Sequence, residues 1–262
     1  LPINRERARD FIIADLYAKK IRDKLAEDIP TRSDHAHLQL ILLDRKESAD
    51  EAMNRLKTGE EFATLAKRLT DVEGVAGIEL NISCPNVAGG LDFGTDPTLT
   101  YEVVRAVRQA TSLPVIPKLS PNVTDITVIA RAAADAGADA LSLINTIVGM
   151  AIDVRTRRPK LPGATGGLSG PAIRPIAVRM VWEVAHAVKL PLIGIGGIMT
   201  GDDAIEFLLA GASAVQVGTA SFLDPWASMK VLAGIETYLT RHGFDSLGSV
   251  IGAALPPHRD TE

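Results

Sequence analysis

From Val75 onward, the chain repeats one pattern: a short apolar run, a loop with glycine or asparagine, and an amphipathic segment. Five apolar runs are predicted as strands, at residues 77–83, 113–120, 140–146, 191–198 and 214–220. The helices predicted among them include residues 99–111, 126–138, 173–188 and 201–212. A flexible loop is predicted at the glycine-rich residues 163–171, after the third strand. Apolar strands that alternate with helices indicate an α/β fold with a parallel sheet covered on both faces. Polar residues at the strand ends favour a TIM-type (β/α) barrel over a doubly wound sheet.

The number of units limits this prediction. Residues 74–262 supply five βα units, whereas a closed barrel of this type needs eight. We therefore predict an incomplete (β/α) barrel domain over residues 71–262. An open sheet leaves two edges without partner strands and exposes apolar surface, so this domain is expected to form a homo-oligomer.

Residues 1–70 have a different composition, dense in charge and low in glycine. An amphipathic helix is predicted at residues 4–27, where apolar residues recur close to every 3.6 positions. A strand is predicted at residues 37–43, followed by helices at residues 47–58 and 59–70. The sequence thus predicts a mainly helical segment ahead of the barrel domain.

Composition excludes several classes of protein. The chain contains no run of 18 apolar residues, and its start, "LPINRERARD", does not resemble a signal peptide. Its first residue is leucine, which is typical of a processed chain or a fragment. The single cysteine rules out an internal disulfide, and the net charge of −4 argues against binding a nucleic-acid backbone. We expect a cytoplasmic protein that binds neither nucleic acid nor membrane, with no metal site.

The predicted strand ends carry polar residues and glycines, and in (β/α) barrels these ends build the active site. In chain order these residues are Asn81, Cys84, Asn86, Lys118, Asn145, Thr146, Gly196, Gly197, Gly218 and Thr219. The amide and hydroxyl groups suit a flat polar heterocycle, although asparagines also form turns for purely structural reasons. The glycine pairs in two consecutive turns favour a phosphate site, and tight turns are the structural alternative.

Lys118 and Cys84 are the two candidates whose side chains could take part directly in a reaction. A lysine within a buried strand is costly unless it meets an anion or an electron-rich ring, although it can also extend from the strand end into water. Cys84 lies beyond a strand and before Pro85, which ends the hydrogen-bond ladder. A lone cysteine is more often a buried apolar residue, but a thiol at this position can accept a proton from a ligand.

Several motifs together resemble the C-terminal part of a class 1 dihydroorotate dehydrogenase, most closely the 1B type, over residues 70–262. They are "GIELNISCPNVAGGLDFG", "VIPKLSPNVTDI", "LSLINTIVGMAIDVRTRRPKL", "TGGLSGPAIRPIAVRMV", "PLIGIGGIMTGDDAIEFLLAGASAVQVGTA" and "GIETYL". The cysteine at position 84 separates the chain from class 2, in which serine is the base. Class 1A, which uses fumarate, stays an alternative.

The resemblance implies oxidation of dihydroorotate to orotate by FMN in pyrimidine biosynthesis. Cys84 would remove the C5 proton while hydride passes from C6 to the flavin. The substrate would be held by Asn81, Asn86, Asn145 and Thr146. FMN would be bound by Asn81, Lys118, Ile144, Gly170, Gly196, Gly197, Gly218 and Thr219. The 1B type pairs with an iron–sulfur, FAD-containing subunit that passes electrons to NAD.

Two departures from this family keep other hypotheses open. The family's first three βα units would precede "DVEGVAGIELNISCPN", and residues 1–70 instead resemble the start of a parvulin-type peptidyl-prolyl isomerase. Leu40 there stands where the isomerase histidine is expected. The alternatives to the dehydrogenase are an inactive hybrid chain and a foldase-like module that binds peptide through residues 1–70.

Overall fold

The computed structural model describes residues 60–70, 75–82 and 92–256. The helices predicted at residues 4–27 and 47–58 and the strand predicted at 37–43 lie outside the described residues. The domain boundary predicted after residue 70 stays a prediction. Among the described residues, no helix is long and apolar enough to cross a membrane.

The described strands and helices follow the predicted alternation. The strands are β1 (Ile78–Asn81), β2 (Val115–Leu119), β3 (Leu141–Leu143), β4 (Ile147–Met150), β5 (Ile152–Asp153), β6 (Arg158–Pro159), β7 (Thr165–Leu168), β8 (Leu192–Ile195) and β9 (Ala214–Gln216). The α-helices are α1 (Glu60–Thr70), α2 (Asp92–Thr95), α3 (Pro97–Ala110), α4 (Ile126–Asp135), α5 (Arg174–Ala187), α6 (Gly201–Leu209), α7 (Ala220–Leu223) and α8 (Ala227–His242). Short 3₁₀ turns lie at Pro171–Ile173 and Leu247–Ser249.

The five predicted strands form one parallel sheet in the order β1-β2-β3-β8-β9. Its register places Asn81 opposite Lys118, and Leu119 opposite Leu143. In a parallel sheet all carboxyl ends lie at the same edge, so the loops after these strands share one end of the domain. The prediction of an incomplete, TIM-type α/β domain with five βα units is confirmed.

Burial along the strands corrects one detail of the prediction. The central strand β3 is buried at all three residues, as expected for a sheet covered on both faces. Strand β1 instead alternates, with Ile78 and Leu80 buried while Glu79 and Asn81 are exposed. The helices therefore cover only one face of β1. The other face corresponds to the inside of a barrel, which is filled by side chains from opposing strands and not by helices.

Two glycines let helix α6 pack closely against its neighbours. A Cβ atom built on Gly201 would lie 2.5 Å from the Cα of Gly234, so α6 and α8 approach backbone to backbone. A Cβ on Gly194 would lie 2.5 Å from the ring of Phe207, which is fully buried beneath β8. Burying a phenylalanine side chain contributes about 1.5–3 kcal/mol, so these contacts help to fix α6 on the sheet.

An antiparallel segment between β3 and α5 was missed by the sequence prediction. Strand β4 pairs with β7, with Ile147 opposite Leu168 and Met150 opposite Thr165, and β5 pairs with β6 beyond them. The glycine-rich residues 163–171 were predicted as a flexible loop, and that prediction was wrong for β7. Glycine has little intrinsic preference for a strand, so the pairing with β4 decides the structure of this segment.

The cap of helix α4 gives a prediction about pH. Asp125 accepts hydrogen bonds from the hydroxyl and the backbone N–H of Thr127, at 2.7 and 2.8 Å, and the hydroxyl bond chiefly lowers the pKa of Asp125 below its usual 3.8. Since the folded-state pKa is the lower one, the stabilisation is present above about pH 4 and is lost as pH falls through the folded-state pKa. We expect Asp125→Asn, which caps without titrating, to reduce the loss of unfolding free energy on acidification. Denaturant titrations across that pH range measure this, and equal acid sensitivity of both proteins would contradict it.

Candidate functional site

The sheet register brings the predicted polar residues of three strands to one place. Asn81 and Lys118 are neighbours across β1 and β2. The backbone N–H of Asn145 donates to the carbonyl of Leu119 at 3.0 Å, and the N–H of Ile144 donates to the carbonyl of Ile195 at 2.9 Å. The segment after β3 is therefore fixed between β2 and β8.

Three of the predicted substrate residues form a hydrogen-bonded chain. The Nδ2 of Asn145 donates to the Oδ1 of Asn81 at 2.9 Å, and the backbone N–H of Thr146 donates to the Oδ1 of Asn145 at 2.8 Å. The side chain of Asn81 is exposed, whereas Asn145 and Thr146 are half-buried. The arrangement orients several amide and hydroxyl groups at the edge of the sheet, as a planar polar ligand requires.

Lys118 lies beside a carboxylate of the same chain. Its Nζ is 3.2 Å from the Oε1 of Glu79, and the Oε2 of Glu79 accepts a hydrogen bond from the Nε2 of Gln216 at 2.9 Å. Glu79 belongs to the first strand of the sheet and Gln216 to the last, so side chains connect the two edge strands. This ion pair offsets the desolvation cost of placing a lysine in a strand and holds the ammonium group on the same face as Glu79.

Three loops that are distant in sequence meet near Gly197. Gly197 has a φ of +73°, and a Cβ built on it would lie 2.6 Å from the carbonyl oxygen of Gly170. Gly170 has a φ of +87°, and a Cβ built on it would lie 3.5 Å from the Cγ2 of Thr219, whose hydroxyl donates to the Oγ of Ser169 at 2.9 Å. Close backbone approach of this kind, with hydroxyl groups at its rim, is typical of sites that hold a phosphate.

The remaining predicted cofactor residues surround these loops. Ile144 is 2% exposed and lies near Gly196, since a Cβ on Gly196 would be 3.6 Å from its Cγ1. Gly196 has a φ of +139°, and the same Cβ would lie 2.7 Å from Ala177. A Cβ on Gly218 would meet nothing within 4 Å, so packing within the protein does not require glycine there.

The amino terminus of helix α6 differs from the prediction. The backbone N–H groups of Met199 and Thr200 donate to the Oδ2 of Asp203, at 2.9 and 2.8 Å, in a capping box. Asp203 is buried and forms an ion pair with Arg174. The turn after β8 therefore does not offer these two amides to a ligand, because a carboxylate within the helix already occupies them.

Sequence reasoning missed Glu79, Gln216, Ser169 and Asn122, whose contacts hold the predicted site residues. The alternation of β1 was the one signal that could have indicated Glu79, since it lies two residues before Asn81 and shares its face. Cys84 and Asn86 lie outside the described residues, and their roles stay predictions.

Comparison with known proteins identifies the family. A family model described as dihydroorotate dehydrogenase matches residues 19–239. The chain belongs to the dihydroorotate dehydrogenase family. This confirms the resemblance predicted from the strand-end motifs.

The relatives point to the B type within the dihydroorotate dehydrogenase family. The chain is 65% identical over 197 residues to the "Dihydroorotate dehydrogenase B (NAD(+)), catalytic subunit" of Geobacter sp. strain M21, a match that covers 75% of this chain and 65% of the relative. The subunits of the same name from Citrifermentans bemidjiense and Geobacter metallireducens are each 64% identical, with the same coverage. The chain thus spans less than two thirds of the length of these relatives.

A solved structure supports the fold. The crystal structure of the dihydroorotate dehydrogenase of Eimeria tenella in complex with ferulenol matches with a TM-score of 0.65. The two sequences are 23% identical, and the match covers 76% of this chain and 58% of the other. At this identity the likeness concerns the barrel-type fold alone.

Proposed function

We propose that this chain oxidises dihydroorotate to orotate with FMN, as the catalytic subunit of a class 1B dihydroorotate dehydrogenase in pyrimidine synthesis. The observation that carries the proposal is the 65% identity over 197 residues to a subunit of that name. The convergence of Asn81, Lys118 and Asn145 at one edge of the sheet supports it from the geometry.

The glycine loops fit the phosphate of FMN. At Gly197 and Gly196 an added Cβ would collide with the protein, so the loops can pack this closely only with glycine at these positions, whereas a Cβ on Gly218 would meet nothing within 4 Å. The phosphate of FMN would be held by Gly196, Gly197, Gly218 and Thr219. The isoalloxazine ring would be lined by Ile144 and Gly170 and would lie near Asn81 and Lys118. FMN bound there supplies the acceptor for the hydride that leaves C6 of the substrate.

The substrate groups act by orientation and proton transfer. Asn81, Asn86, Asn145 and Thr146 hold the ring and the carboxylate of dihydroorotate through hydrogen bonds. The thiolate of Cys84 accepts the proton from C5, so the C5–H bond gives its electrons to the new C5=C6 double bond. Lys118 places positive charge where negative charge accumulates on the cofactor, and Glu79 and Gln216 hold its ammonium group in position.

The name of the relatives, a catalytic subunit with NAD(+), supports a separate electron-transfer partner. We propose an iron–sulfur subunit carrying FAD, which takes the electrons to NAD. We also propose a homo-oligomer of the catalytic chain in the cytoplasm, where a protein with one cysteine stays reduced.

Anaerobic mixing with dihydroorotate tests this function. The FMN-loaded protein is expected to lose its visible flavin absorption and to release one orotate per FMN, as measured by chromatography. Bound FMN that stays oxidised in excess dihydroorotate would contradict the proposed reaction.

Replacing Lys118 with methionine is expected to weaken FMN binding by about 10- to 100-fold. The change removes a charge-assisted hydrogen bond worth about 1.5–3 kcal/mol and leaves Glu79 without its cation. Fluorescence titration with FMN gives the dissociation constant. Lys189→Met, at an exposed lysine before β8, is the matched control and should bind FMN as the parent does. If Lys118→Met binds FMN as tightly as the parent, Lys118 does not contribute to the FMN site.

A further inference from the structure

The side chain of Asn122 binds the start of strand β4 through both ends of its amide. Asn122 is the third residue after β2, in the loop that leads to α4. Its Nδ2 donates to the carbonyl of Thr146 at 3.0 Å, and its Oδ1 accepts from the backbone N–H of Val148 at 2.8 Å. One side chain thereby satisfies two backbone groups on either side of Ile147.

This geometry imitates a strand pair. In a parallel ladder, one residue of a strand bonds the carbonyl of residue i−1 and the N–H of residue i+1 on its neighbour. The amide of Asn122 makes the same two bonds around Ile147, while the antiparallel pairing with β7 begins at the same residue. Ile147 is thus held from β7 and from Asn122.

Ser120 fixes the amide of Asn122. Its hydroxyl accepts from the backbone N–H of Asn122 at 3.2 Å and from the Nδ2 at 3.3 Å. Ser120 is fully buried, so its position is set by the core beneath the loop. The side-chain amide of Asn122 is therefore already oriented towards Thr146. Less conformational entropy of this side chain is lost when it binds the Thr146 carbonyl.

The contact continues to the proposed substrate residues. Thr146 has its carbonyl bound by Asn122 and its N–H bound by the Oδ1 of Asn145, and Asn145 in turn donates to Asn81. A shift of the Thr146 backbone would move both its hydroxyl and the side chain of Asn145. The side chain of Thr146 also lies against Gly167, where an added Cβ would collide with its Cβ at 2.8 Å.

We propose that Asn122 is a positioning residue for dihydroorotate binding, which acts by fixing Thr146 and Asn145 and without touching the substrate. This inference rests on the proposed function. Asn122→Ala would release the Thr146 carbonyl and the Val148 N–H together. Asn122→Asp would still accept from Val148, but would place a carboxylate oxygen against the carbonyl of Thr146.

Steady-state kinetics test the positioning role. We expect Asn122→Ala to raise KM for dihydroorotate by about tenfold, the effect expected from the loss of one or two hydrogen bonds. The fall in kcat should be smaller, and the FMN dissociation constant should stay within about twofold of the parent. Asn122→Asp should raise KM by at least as much. Thr124→Ala, on the exposed part of the same loop, should match the parent. Unchanged KM in both Asn122 variants would overturn the proposal.

Amide hydrogen exchange separates this inference from the proposed function. In Asn122→Ala, the N–H of Val148 should exchange at least tenfold faster than in the parent, while the amides of α8 exchange as before. If the parent protein does not oxidise dihydroorotate, the proposed function fails, and the exchange rate at Val148 alone decides whether Asn122 holds this segment. Unchanged exchange at Val148 overturns the inference in either case.

Discussion

Replacing Cys84 with alanine is expected to slow the reduction of bound FMN by dihydroorotate by about 10²- to 10⁴-fold, the usual contribution of a general base. Anaerobic stopped-flow absorption gives the rate directly. In the parent protein the rate should rise with pH, because only the thiolate accepts the C5 proton. The alanine variant should lose this rise.

Cys84→Ser provides the matched control for size and polarity. Its hydroxyl ionises far less readily than a thiol, so the variant should also be slow at neutral pH and should gain rate only at higher pH. Both Cys84 variants should bind FMN and orotate with the parent's affinity, since each substitution removes only the proton acceptor. Flavin reduction at the parent's rate in Cys84→Ala would exclude this residue as the base.

Replacing Gly197 with valine is expected to weaken cofactor binding and to destabilise the fold. The residue has a φ of +73°, and its new Cβ would meet the carbonyl of Gly170 at 2.6 Å and the backbone of Arg174 near 3.1 Å. A β-branched residue in that conformation costs about 1–3 kcal/mol, and the loops must separate to admit it. We expect FMN affinity to fall at least tenfold, together with a lower free energy of unfolding.

Gly248→Ala controls for the loss of a glycine. Gly248 lies in the 3₁₀ turn Leu247–Ser249, where an added Cβ would approach only the Ser246 hydroxyl, at 3.5 Å. That variant should keep the parent's FMN affinity in fluorescence titration and its stability in denaturant titration. If Gly197→Val binds FMN as tightly as Gly248→Ala, the phosphate does not lie at the glycine loops.

The strand positions were predictable from sequence because local chemistry determines them. Residues 192–195 are apolar and followed by Gly196, and residues 115–119 are apolar apart from Lys118 and followed by the loop with Pro121 and Asn122. Short runs of this kind favour a buried parallel strand. The site residues could be predicted for the same reason, since parallel strands place their carboxyl ends together. Asn81 and Asn145 are 64 residues apart, yet their side chains hydrogen-bond.

The contacts that orient the site could not be predicted, because they depend on register and side-chain direction. The pairing of Glu79 with Lys118 requires their strands to be adjacent in one specific register, and Gln216 reaches Glu79 across the whole sheet. Strand β7 was missed because its glycines indicate a loop when its partner β4 is ignored. Asp203 could have been recognised from the sequence "TGDD", a capping pattern, but its pairing with Arg174 depends on how α5 packs against α6.

FMN binding by this chain is measured by the visible absorption spectrum of the purified protein after incubation with excess FMN and removal of the unbound fraction. We expect close to one FMN per chain, released on denaturation and quantified by its absorbance. This result would mean that the five βα units and the glycine loops assemble a working cofactor site. A protein that retains no FMN under these conditions would not be an FMN-dependent dehydrogenase, and the strand-end motifs would then be inherited sequence without the reaction.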